Sequence, residues 1–491
     1  MSELLRGGRL SASRKDIIEF TSSLTSDEKL LKHVVNINKA HIVMLIENGI
    51  INRNDGSKIL GALLSLENKL SLRGNVEDIH MLVEEEVIKS VGLDVGGNLN
   101  LAKSRNDQVA TAIRMALRED LLNVMEKTVN LQETLIQLAE KNIKTIVPGY
   151  THLQPAQPTT LAHYLLAQFD ILKRDLGRLM DAYRRVNLCP MGAGALATTS
   201  FPISRERVAE LLGFDGLIEN SIDAVSSRDF LLETLAALSI MAVDISRFVE
   251  DLIIWSSMEF RLIDLPDEFT STSSIMPQKK NPEVLEVIRA RMSIILSDFI
   301  AASTMLKGLP STYNLDFQEA TPKLWDATKI MAETLWMLSE TVRNVRARKD
   351  AMEKPFLSFL TATELANMLV RKYSVPFRIA HKIVGALVKT LMDDGKTLFD
   401  VSPELLARVS AKFLSSPLHV KIEDIRRAID PVSFVESHSV RGGPSRSEVE
   451  RMLIIRRNLP DQYREEIVFK RKRIEDSINT LNSIAKSYAS S

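Results

Sequence analysis

Four long stretches of this 491-residue chain contain no proline. They lie between residues 158 and 190, 202 and 266, 282 and 310, and 322 and 355. Proline lacks a backbone donor and clashes with the preceding turn, so it breaks helix interiors. Each stretch is therefore a window for long helices. Strand signals are sparse, and the pattern predicts an all-α fold.

The segment before Pro148 carries two apolar stripes at helical spacing, which are Leu117, Leu121, Val124, Leu131, Leu135 and Leu138, and Leu122, Met125, Val129, Ile136, Ala139 and Ile143. Two stripes on one helix indicate burial on two sides, as in the middle of a bundle. Residues 229–255 and 284–306 are apolar around most of the helix. Such helices belong in the core of a large structure.

We divide the chain into three helical blocks. Residues 1–102 form an N-terminal domain of short helices and loops, and residues 103–354 form a central domain of long helices. Residues 355–491 form a C-terminal domain of shorter helices, of which the charged tail at 462–488 is the last.

Bulk composition excludes several classes of protein. Lys plus Arg and Asp plus Glu are each 63, so bulk charge favours neither nucleic-acid nor membrane-surface partners. The single cysteine, Cys189, excludes an internal disulfide and a cysteine metal cluster. Neither a signal peptide nor a membrane-spanning run is found. We expect a cytoplasmic protein with no cofactor and no metal.

A first polar loop, Ser104-Arg105-Asn106-Asp107, opens a long helix. Ser104 with Asp107 makes a capping-box-like pair. The free N–H groups of a helix N-terminus attract anions, and Arg105 adds a bidentate fork for a carboxylate. The alternative is a plain cap with an arginine that faces solvent, and this motif alone favours the alternative.

A second loop, residues 148–158 (PGYTHLQPAQP), is stiffened by three prolines and presents Thr151 and His152. Histidine is a natural proton carrier near neutral pH. The alternative is a buried structural histidine, and the residues leave the choice open.

A third loop, residues 270–282 (TSTSSIMPQKKNP), joins a hydroxyl-rich stretch to Lys279 and to a helix start at Asn281-Pro282-Glu283. An anion could bind Lys279 and the helix N-terminus together. A hydroxyl of Ser273 or Ser274 would close over it. The alternative is a surface loop with solvated lysines, but a polar loop before a buried helix favours a lid.

Together these loops resemble the fumarase/aspartase superfamily, whose signature loop is similar to residues 273–282 (SSIMPQKKNP). Within it, the QKK run and five further motifs resemble the argininosuccinate lyase family, which includes the δ-crystallins. These motifs are Gly7-Gly8-Arg9, residues 104–111 (SRNDQVAT), 150–158 (YTHLQPAQP), 223–229 (DAVSSRD) and 307–314 (KGLPSTYN). The resemblance runs from about Gly7 to Gly443.

The resemblance implies a three-domain, all-α subunit whose long helices form a twenty-helix bundle in a homotetramer. Each active site would draw loops from three chains. The implied reaction is the reversible β-elimination of argininosuccinate to arginine and fumarate, a carbon–nitrogen lyase step of arginine biosynthesis. Two other readings stay open: a sister lyase acting on adenylosuccinate, aspartate or malate, and a non-catalytic, crystallin-like structural protein.

The resemblance also implies residue roles. Ser273 would be the general base, and Lys279 would bind and stabilise the carboxylate-bearing carbanion. His152, held by Glu286, would belong with Thr151 to the acid-side machinery. The implied substrate-binding residues are Ser104, Arg105, Asn106, Asn281, Tyr313, Gln318, His80, Asp27 and Ser23.

The chain departs from the family pattern at several positions. Residues 97–106 (GNLNLAKSRN) replace a stretch that often reads GKLHTGRSRN, and Thr272 replaces a glycine before Ser273. Thr321 stands where many relatives have a substrate-contacting lysine, and Lys323 is the nearby candidate to replace it. These departures concern substrate affinity more than the type of reaction.

Overall fold

The structure is a computed structural model that describes Arg9, residues 14–66 and residues 76–490. Gly7 and Gly8 of the first motif lie outside the described residues. The α-helices of the described part are α1 Lys15–Thr21, α2 Leu31–Glu47, α3 Arg53–Leu66, α4 Ile79–Val91, α5 Leu93–Gly96, α6 Arg105–Lys141, α7 Leu161–Val186, α8 Arg205–Leu211, α9 Ser221–Ser226, α10 Asp229–Ser256, α11 Glu283–Leu306, α12 Asp316–Asn344, α13 Ala362–Tyr373, α14 Phe377–Asp393, α15 Pro403–Ser410, α16 Ile422–Ile429, α17 Pro431–Ser437, α18 Arg446–Arg456 and α19 Leu459–Ala489.

Strands are few and short in this part of the chain. They are β1 Ile146–Thr151, β2 Gln154–Thr160, β3 Leu188–Cys189, β4 Gly216–Leu217, β5 Ile263–Asp264, β6 Ser271–Thr272, β7 Lys280–Asn281 and β8 Arg346–Ala347. They pair two by two, as β1–β2, β3–β4, β5–β8 and β6–β7. The prediction of an all-α fold is confirmed, because each pair only braces a loop between helices.

Five long helices, α6, α7, α10, α11 and α12, form the central bundle and alternate in direction. Where α6 begins and α7 ends, Arg114 donates to the carbonyl of Arg185 at 2.7 Å. Where α7 begins and α10 ends, the Tyr164 hydroxyl donates to Asp251 at 2.6 Å. Arg291 near the start of α11 meets Glu333 in the second half of α12, with an N–O distance of 3.2 Å.

The bundle therefore has two ends with different loops. At the end that we call the Arg105 end, α6, α10 and α12 begin, and α7 and α11 end. At the opposite end, called the Ser273 end, the β1–β2 hairpin joins α6 to α7 and the loop that bears Ser273 joins α10 to α11. The 37 residues of α6 span about 55 Å at 1.5 Å per residue.

The helix windows are confirmed for α7, α10 and α11, but two predicted boundaries are wrong. Helix α12 begins at Asp316 and contains Pro322, which has no N–H to donate to the carbonyl of residue 318. Helix α12 continues through Pro322 although this hydrogen bond is missing. Asn281 does not cap α11, because it lies in β7 opposite Ser271 and the helix begins at Glu283.

The proline-rich loop before α7 is a β-hairpin, although strand signals there are weak. Pro148 pairs directly with Pro158 across β1 and β2. Two residues that lack an N–H thus face each other, so the ladder loses little from either. The prolines stiffen the hairpin and leave its tip free to project.

Buried apolar residues between 365 and 429 form a core of their own. A second core joins the first two blocks and extends into α18 and α19. In α19, Arg464 pairs with Glu133 of α6 at 2.8 Å, and Arg471 pairs with Glu126 at 3.0 Å. The division into three blocks stays a prediction. None of the helices in the described part of the chain has the length and hydropathy of a membrane span.

Candidate active site

A cluster of charged side chains lies at the Arg105 end, built by the start of α6 and the segments before α2 and α4. The Arg105 guanidinium pairs with Asp78 at 2.9 Å and approaches Glu77 at 4.0 Å. The Ser23 hydroxyl donates to the Asp27 carboxylate at 2.6 Å, and the backbone N–H of Ile79 approaches the same oxygen at 3.4 Å. We call Ser23, Asp27, Asp78, His80, Arg105, Tyr313 and Gln318 the Arg105 group.

Burial sets the protonation of two members of this group. It raises the pKa of Asp27 to about 6, against the hydrogen bond from Ser23 and helped by the nearby charge of Asp78. Burial also lowers the pKa of His80 to about 4, so the ring is neutral at pH 7. Among the described residues, neither ring nitrogen of His80 has a hydrogen-bond partner. The group therefore offers a cation, a carboxylate and a neutral imidazole.

The segment before α12 supplies two further members. The Gln318 amide donates to the carbonyl of Thr21 at 2.9 Å, which ties α12 to the Ser23 segment. The ring of Tyr313 packs edge-on against Phe317, with centroids 5.5 Å apart. Burial raises the pKa of Tyr313, while Arg228 and Arg105 act to lower it and Asp78 and Asp27 to raise it. Tyr313 thus lies within the field of the Arg105 group.

The predicted capping box at the start of α6 is confirmed. Ser104 accepts a hydrogen bond from the N–H of Asn106 at 3.3 Å, and Asp107 accepts one from the N–H of Ser104 at 3.0 Å. Asp107 also accepts from the N–H groups of Gly192 and Gly194, at 3.1 and 2.9 Å. The start of α6 is thus fixed on the 192–194 loop, with Arg105 half-buried and aimed at Asp78.

At the Ser273 end, Thr151 and His152 lie at the tip of the β1–β2 hairpin. His152 and Leu153 both have positive φ, 54° and 57°, the geometry of a tight two-residue turn that usually takes Asn or Gly. Both side chains are exposed. Residues other than glycine are strained at positive φ, and such backbone strain is often found at functional sites. The exposed tip does not fit the alternative of a buried structural histidine.

Ser273 and Lys279 lie on a loop closed at its base by the β6–β7 pair. Thr272 pairs with Lys280, and Ser271 with Asn281. The Ser273 oxygen accepts from the N–H groups of Ile275 and Met276 at 3.4 and 3.2 Å. Residues 274–280 are exposed, and 82% of the Ile275 surface is accessible. This geometry suits a lid that is anchored only at its base.

The two adjacent lysines of the lid differ in their surroundings. The Lys280 ammonium meets Asp267 at 2.9 Å and Asp264 at 3.3 Å, and also the carbonyl of Leu265. Among the described residues, the side-chain ammonium of Lys279 has no hydrogen bond or ion pair, although its backbone N–H donates to the carbonyl of Met276 at 3.1 Å. Lys279 borders a cavity of about 350 Å³ behind the lid. Lys280 therefore anchors the base, and Lys279 is free to meet an anion.

Within one chain the candidate residues are not brought together. Glu286 lies exposed on the first turn of α11, and no hydrogen bond or ion pair among the described residues joins it to His152. The Arg105 group and the lid are separated by α11, whose 24 residues span about 36 Å. A small substrate cannot touch both ends of one chain. The pairing of His152 with Glu286 stays a prediction.

Neither Thr321 nor Lys323 is directed at the Arg105 group. The Thr321 hydroxyl is buried and donates to the carbonyl of Phe317 at 2.7 Å, within its own helix. The Lys323 ammonium faces Asp298 of α11 at 3.8 Å. The single chain therefore offers no direct replacement for the family's lysine at these two positions.

One residue of the site, Asp78, was missed from the sequence, and the role of Asp107 was only partly predicted. Asp78 pairs with Arg105 and also caps α4 by accepting from the N–H of Met81 at 2.8 Å. Asp107 is more than a cap, because it fixes the 192–194 loop. The signal for Asp78 was its position just before a helix and two residues before His80. Among the described residues, no group of three or more His, Cys, Asp or Glu is placed to hold a metal.

The helical bundle, the capped start of α6 and the loop that bears Ser273 and Lys279 are those of a lyase of the fumarase/aspartase class. A lyase family model matches residues 18–296, and an argininosuccinate lyase C-terminal model matches residues 359–436. The structure of EDDS lyase in complex with formate superposes with a TM-score of 0.87 at 29% identity, covering 94% of this chain and 92% of that one. Class II fumarase from Schistosoma mansoni shares the fold, with a TM-score of 0.70 at 16% identity, over 82% of this chain and 90% of that one.

The chain belongs to the argininosuccinate lyase family. It is 43% identical to the argininosuccinate lyase of Methanocaldococcus jannaschii over 491 residues, which cover 99% of both chains. It is 42% identical to that of Methanosarcina mazei over 494 residues, again 99% of both chains. The similarity thus spans the Arg105 group, the hairpin and the lid alike.

Proposed function

We propose that this protein is an argininosuccinate lyase that splits argininosuccinate into arginine and fumarate by reversible β-elimination. The observation that carries the proposal is an intact serine–lysine lid in a chain that is 43% identical, over its whole length, to an argininosuccinate lyase. The Arg105 group adds a chemical reason. It offers a cation for carboxylates and the Asp27 carboxylate for a cationic group, and argininosuccinate carries both.

Ser273 is the base in this proposal. It removes a proton from the carbon next to a carboxylate of the succinate half, and the charge that develops spreads into that carboxylate. The Lys279 ammonium stabilises this charge, as does the N-terminus of α11. A serine hydroxyl is a poor base in water, so closure of the lid must exclude water and bring a positive charge close.

The electron pair of the broken C–H bond forms the double bond of fumarate as the C–N bond breaks. The leaving guanidinium is already protonated, so it departs as neutral guanidine and then regains a proton. A strong general acid is therefore less necessary than for a simple amine. In this scheme Thr151 and His152 orient and screen the leaving group.

Assembly as a homotetramer is part of the proposal, because the two ends of one chain cannot meet. Antiparallel packing of bundles would bring the Arg105 group of one subunit next to the lid and the hairpin of others. Exposed apolar side chains on the central helices support such packing: Ile240, Val243, Val287, Ile294, Ile300 and Trp336. Glu286 of one subunit would then reach His152 of another.

We further propose a cytoplasmic location and a role in arginine biosynthesis. The reaction yields arginine, and the buried thiol of Cys189 fits a reducing compartment. Burial raises the pKa of Cys189 to about 12, which keeps it unreactive.

The deciding experiment is to follow fumarate absorbance when the purified protein meets argininosuccinate, with malate, aspartate and adenylosuccinate in parallel. Fumarate from argininosuccinate alone is the expected result. Fumarate from another substrate alone would keep the reaction type and overturn the specificity. A folded tetramer that releases fumarate from none of them would favour a crystallin-like structural role.

A further inference from the structure

Arg228 is a buried cation that the reaction scheme does not use. It lies just before α10 at the Arg105 end, and only 4% of its surface is exposed. One terminal nitrogen, Nη1, donates to the carbonyls of Val225 and Ser227 at 3.3 and 2.8 Å. Within the described part of the chain, its Nε and Nη2 atoms have no hydrogen-bond partner. A buried guanidinium with two unpaired nitrogens is costly and needs an explanation.

The Arg228 guanidinium lies over the first ring of an aromatic pair. The guanidinium carbon lies 4.2 Å from the centre of the Phe317 ring, a close cation–π contact. Phe317 in turn packs edge-on against Tyr313, with an interplanar angle of 89°. A buried cation, a benzene ring and a phenol thus form a continuous stack that ends in the Arg105 group.

The charge of Arg228 also acts on Tyr313 through space. Arg228 opposes the rise in the pKa of Tyr313 that burial causes. Burial itself lowers the pKa of Arg228 to about 10, which still leaves it protonated at pH 7. The other charges that act on the phenol are Asp78, Arg105 and Asp27. Arg228 is therefore a fixed positive charge behind the tyrosine.

We propose that Arg228 is a positioning residue for substrate binding, which holds the ring of Tyr313 in place through Phe317. The inference rests on the proposed function, in which Tyr313 and Gln318 contact the arginine half. Phe317 lies between these two residues, so the same contact fixes the start of α12. The arginine half is remote from the carbon that loses its proton, so Arg228 governs affinity rather than the chemical step.

The test compares Arg228→Met and Arg228→Lys with Arg118→Met as a matched control. Arg118 is also buried, lies 4.7 Å from the Phe214 ring and donates to the carbonyls of Leu212 and Gly213. It has no contact with Tyr313. Arg228→Met should raise KM for argininosuccinate about tenfold with kcat nearly unchanged, as loss of uniform binding does. Arg228→Lys should recover most of the affinity, and Arg118→Met should change stability alone.

A double-mutant cycle separates positioning from general destabilisation. In a Tyr313→Ala background, Arg228→Met should raise KM no further, because the residue through which it acts is gone. In addition, the phenol of Tyr313, identified by subtracting the Tyr313→Phe spectrum, should titrate at higher pH in Arg228→Met than in Arg118→Met. If Arg228→Met does not fold, Phe317→Leu interrupts the same stack and should give the same rise in KM.

Several outcomes would overturn the inference. These are an unchanged KM in Arg228→Met, an equal rise in Arg118→Met, or a full additional rise in the Tyr313→Ala background. A fall in kcat at constant KM would also overturn it. Wild-type turnover of argininosuccinate is read in the same assays, so failure of the proposed function is seen separately as an inactive wild type.

Discussion

Asp27 is a carboxyl group whose pKa the fold raises toward neutral pH. Burial, together with the nearby negative charge of Asp78, outweighs the hydrogen bond from Ser23, and the pKa of Asp27 rises to about 6. The group is therefore an anion at pH 7 and neutral at pH 5. Only the anion attracts the cationic part of the substrate.

We predict that 1/KM for argininosuccinate falls as pH drops below about 6, the pKa to which burial raises Asp27. In Asp27→Asn this acidic limb should disappear, and KM should be high at all pH values. Steady-state kinetics between pH 5 and 8 measure it. An acidic limb that persists unchanged in Asp27→Asn would assign it to another group, such as Asp107, whose pKa burial also raises to about 6.

The lid is held in place by contacts at its base alone. Its base is held by the β6–β7 pair and by the contacts of Lys280 with Asp264 and Asp267. Its tip, residues 274–279, is exposed. The same short run of sequence thus combines an anchored base with an exposed tip.

We predict different losses for the two lysines of the lid. Lys280→Met removes ion pairs between exposed groups, which contribute little, so kcat/KM should fall less than about tenfold. Lys279→Met removes the charge that stabilises the carbanion, and kcat should fall about 100-fold or more. Lys280→Arg serves as the control and should retain nearly full activity. Equal losses in Lys279→Met and Lys280→Met would contradict the assigned roles.

The two groups of side chains that the proposed reaction needs lie far apart within one chain. The Arg105 group and the lid lie at opposite ends of the bundle, so under the proposed function each chain alone would hold two incomplete half-sites. Central helices with exposed apolar faces provide a surface through which several chains can combine these halves.

We predict that two inactive variants restore activity when mixed in one assembly. Arg105→Ala damages one end of the bundle and Ser273→Ala the other, so each homotetramer should be folded and inactive. Mixed tetramers contain some sites with both ends intact, and co-expression should recover part of the turnover. Mixed tetramers identified by native mass spectrometry but devoid of activity would argue against shared sites.

We also predict that Ile294→Glu weakens the assembly. Ile294 is 46% exposed on α11, and a carboxylate there would be buried between subunits without a partner. Light scattering should show a smaller species and activity should be lost. The control is Phe399→Glu, at a residue that is 57% exposed on the separate C-terminal core. A tetramer that survives Ile294→Glu would place the interface elsewhere.

The sequence by itself determined the helices and the chemistry-bearing loops of this protein. Proline-free stretches and apolar periodicity are local signals, and they located α7 and α11. The Ser104–Asp107 cap is local too, and it was predicted correctly. The motifs of residues 104–111 and 273–282 identified the family, because reactive side chains there are close in sequence.

Only the tertiary structure decided which side chains meet. The pairing of Asp78 with Arg105, the place of Arg228 behind Phe317 and the neutral His80 depend on distances between segments that are remote in sequence. The tertiary structure also overrode two local rules: Pro322 lies inside α12, and the proline-rich loop is a hairpin. Local propensities contribute little per residue, whereas burial and charge act through space and decide where they disagree.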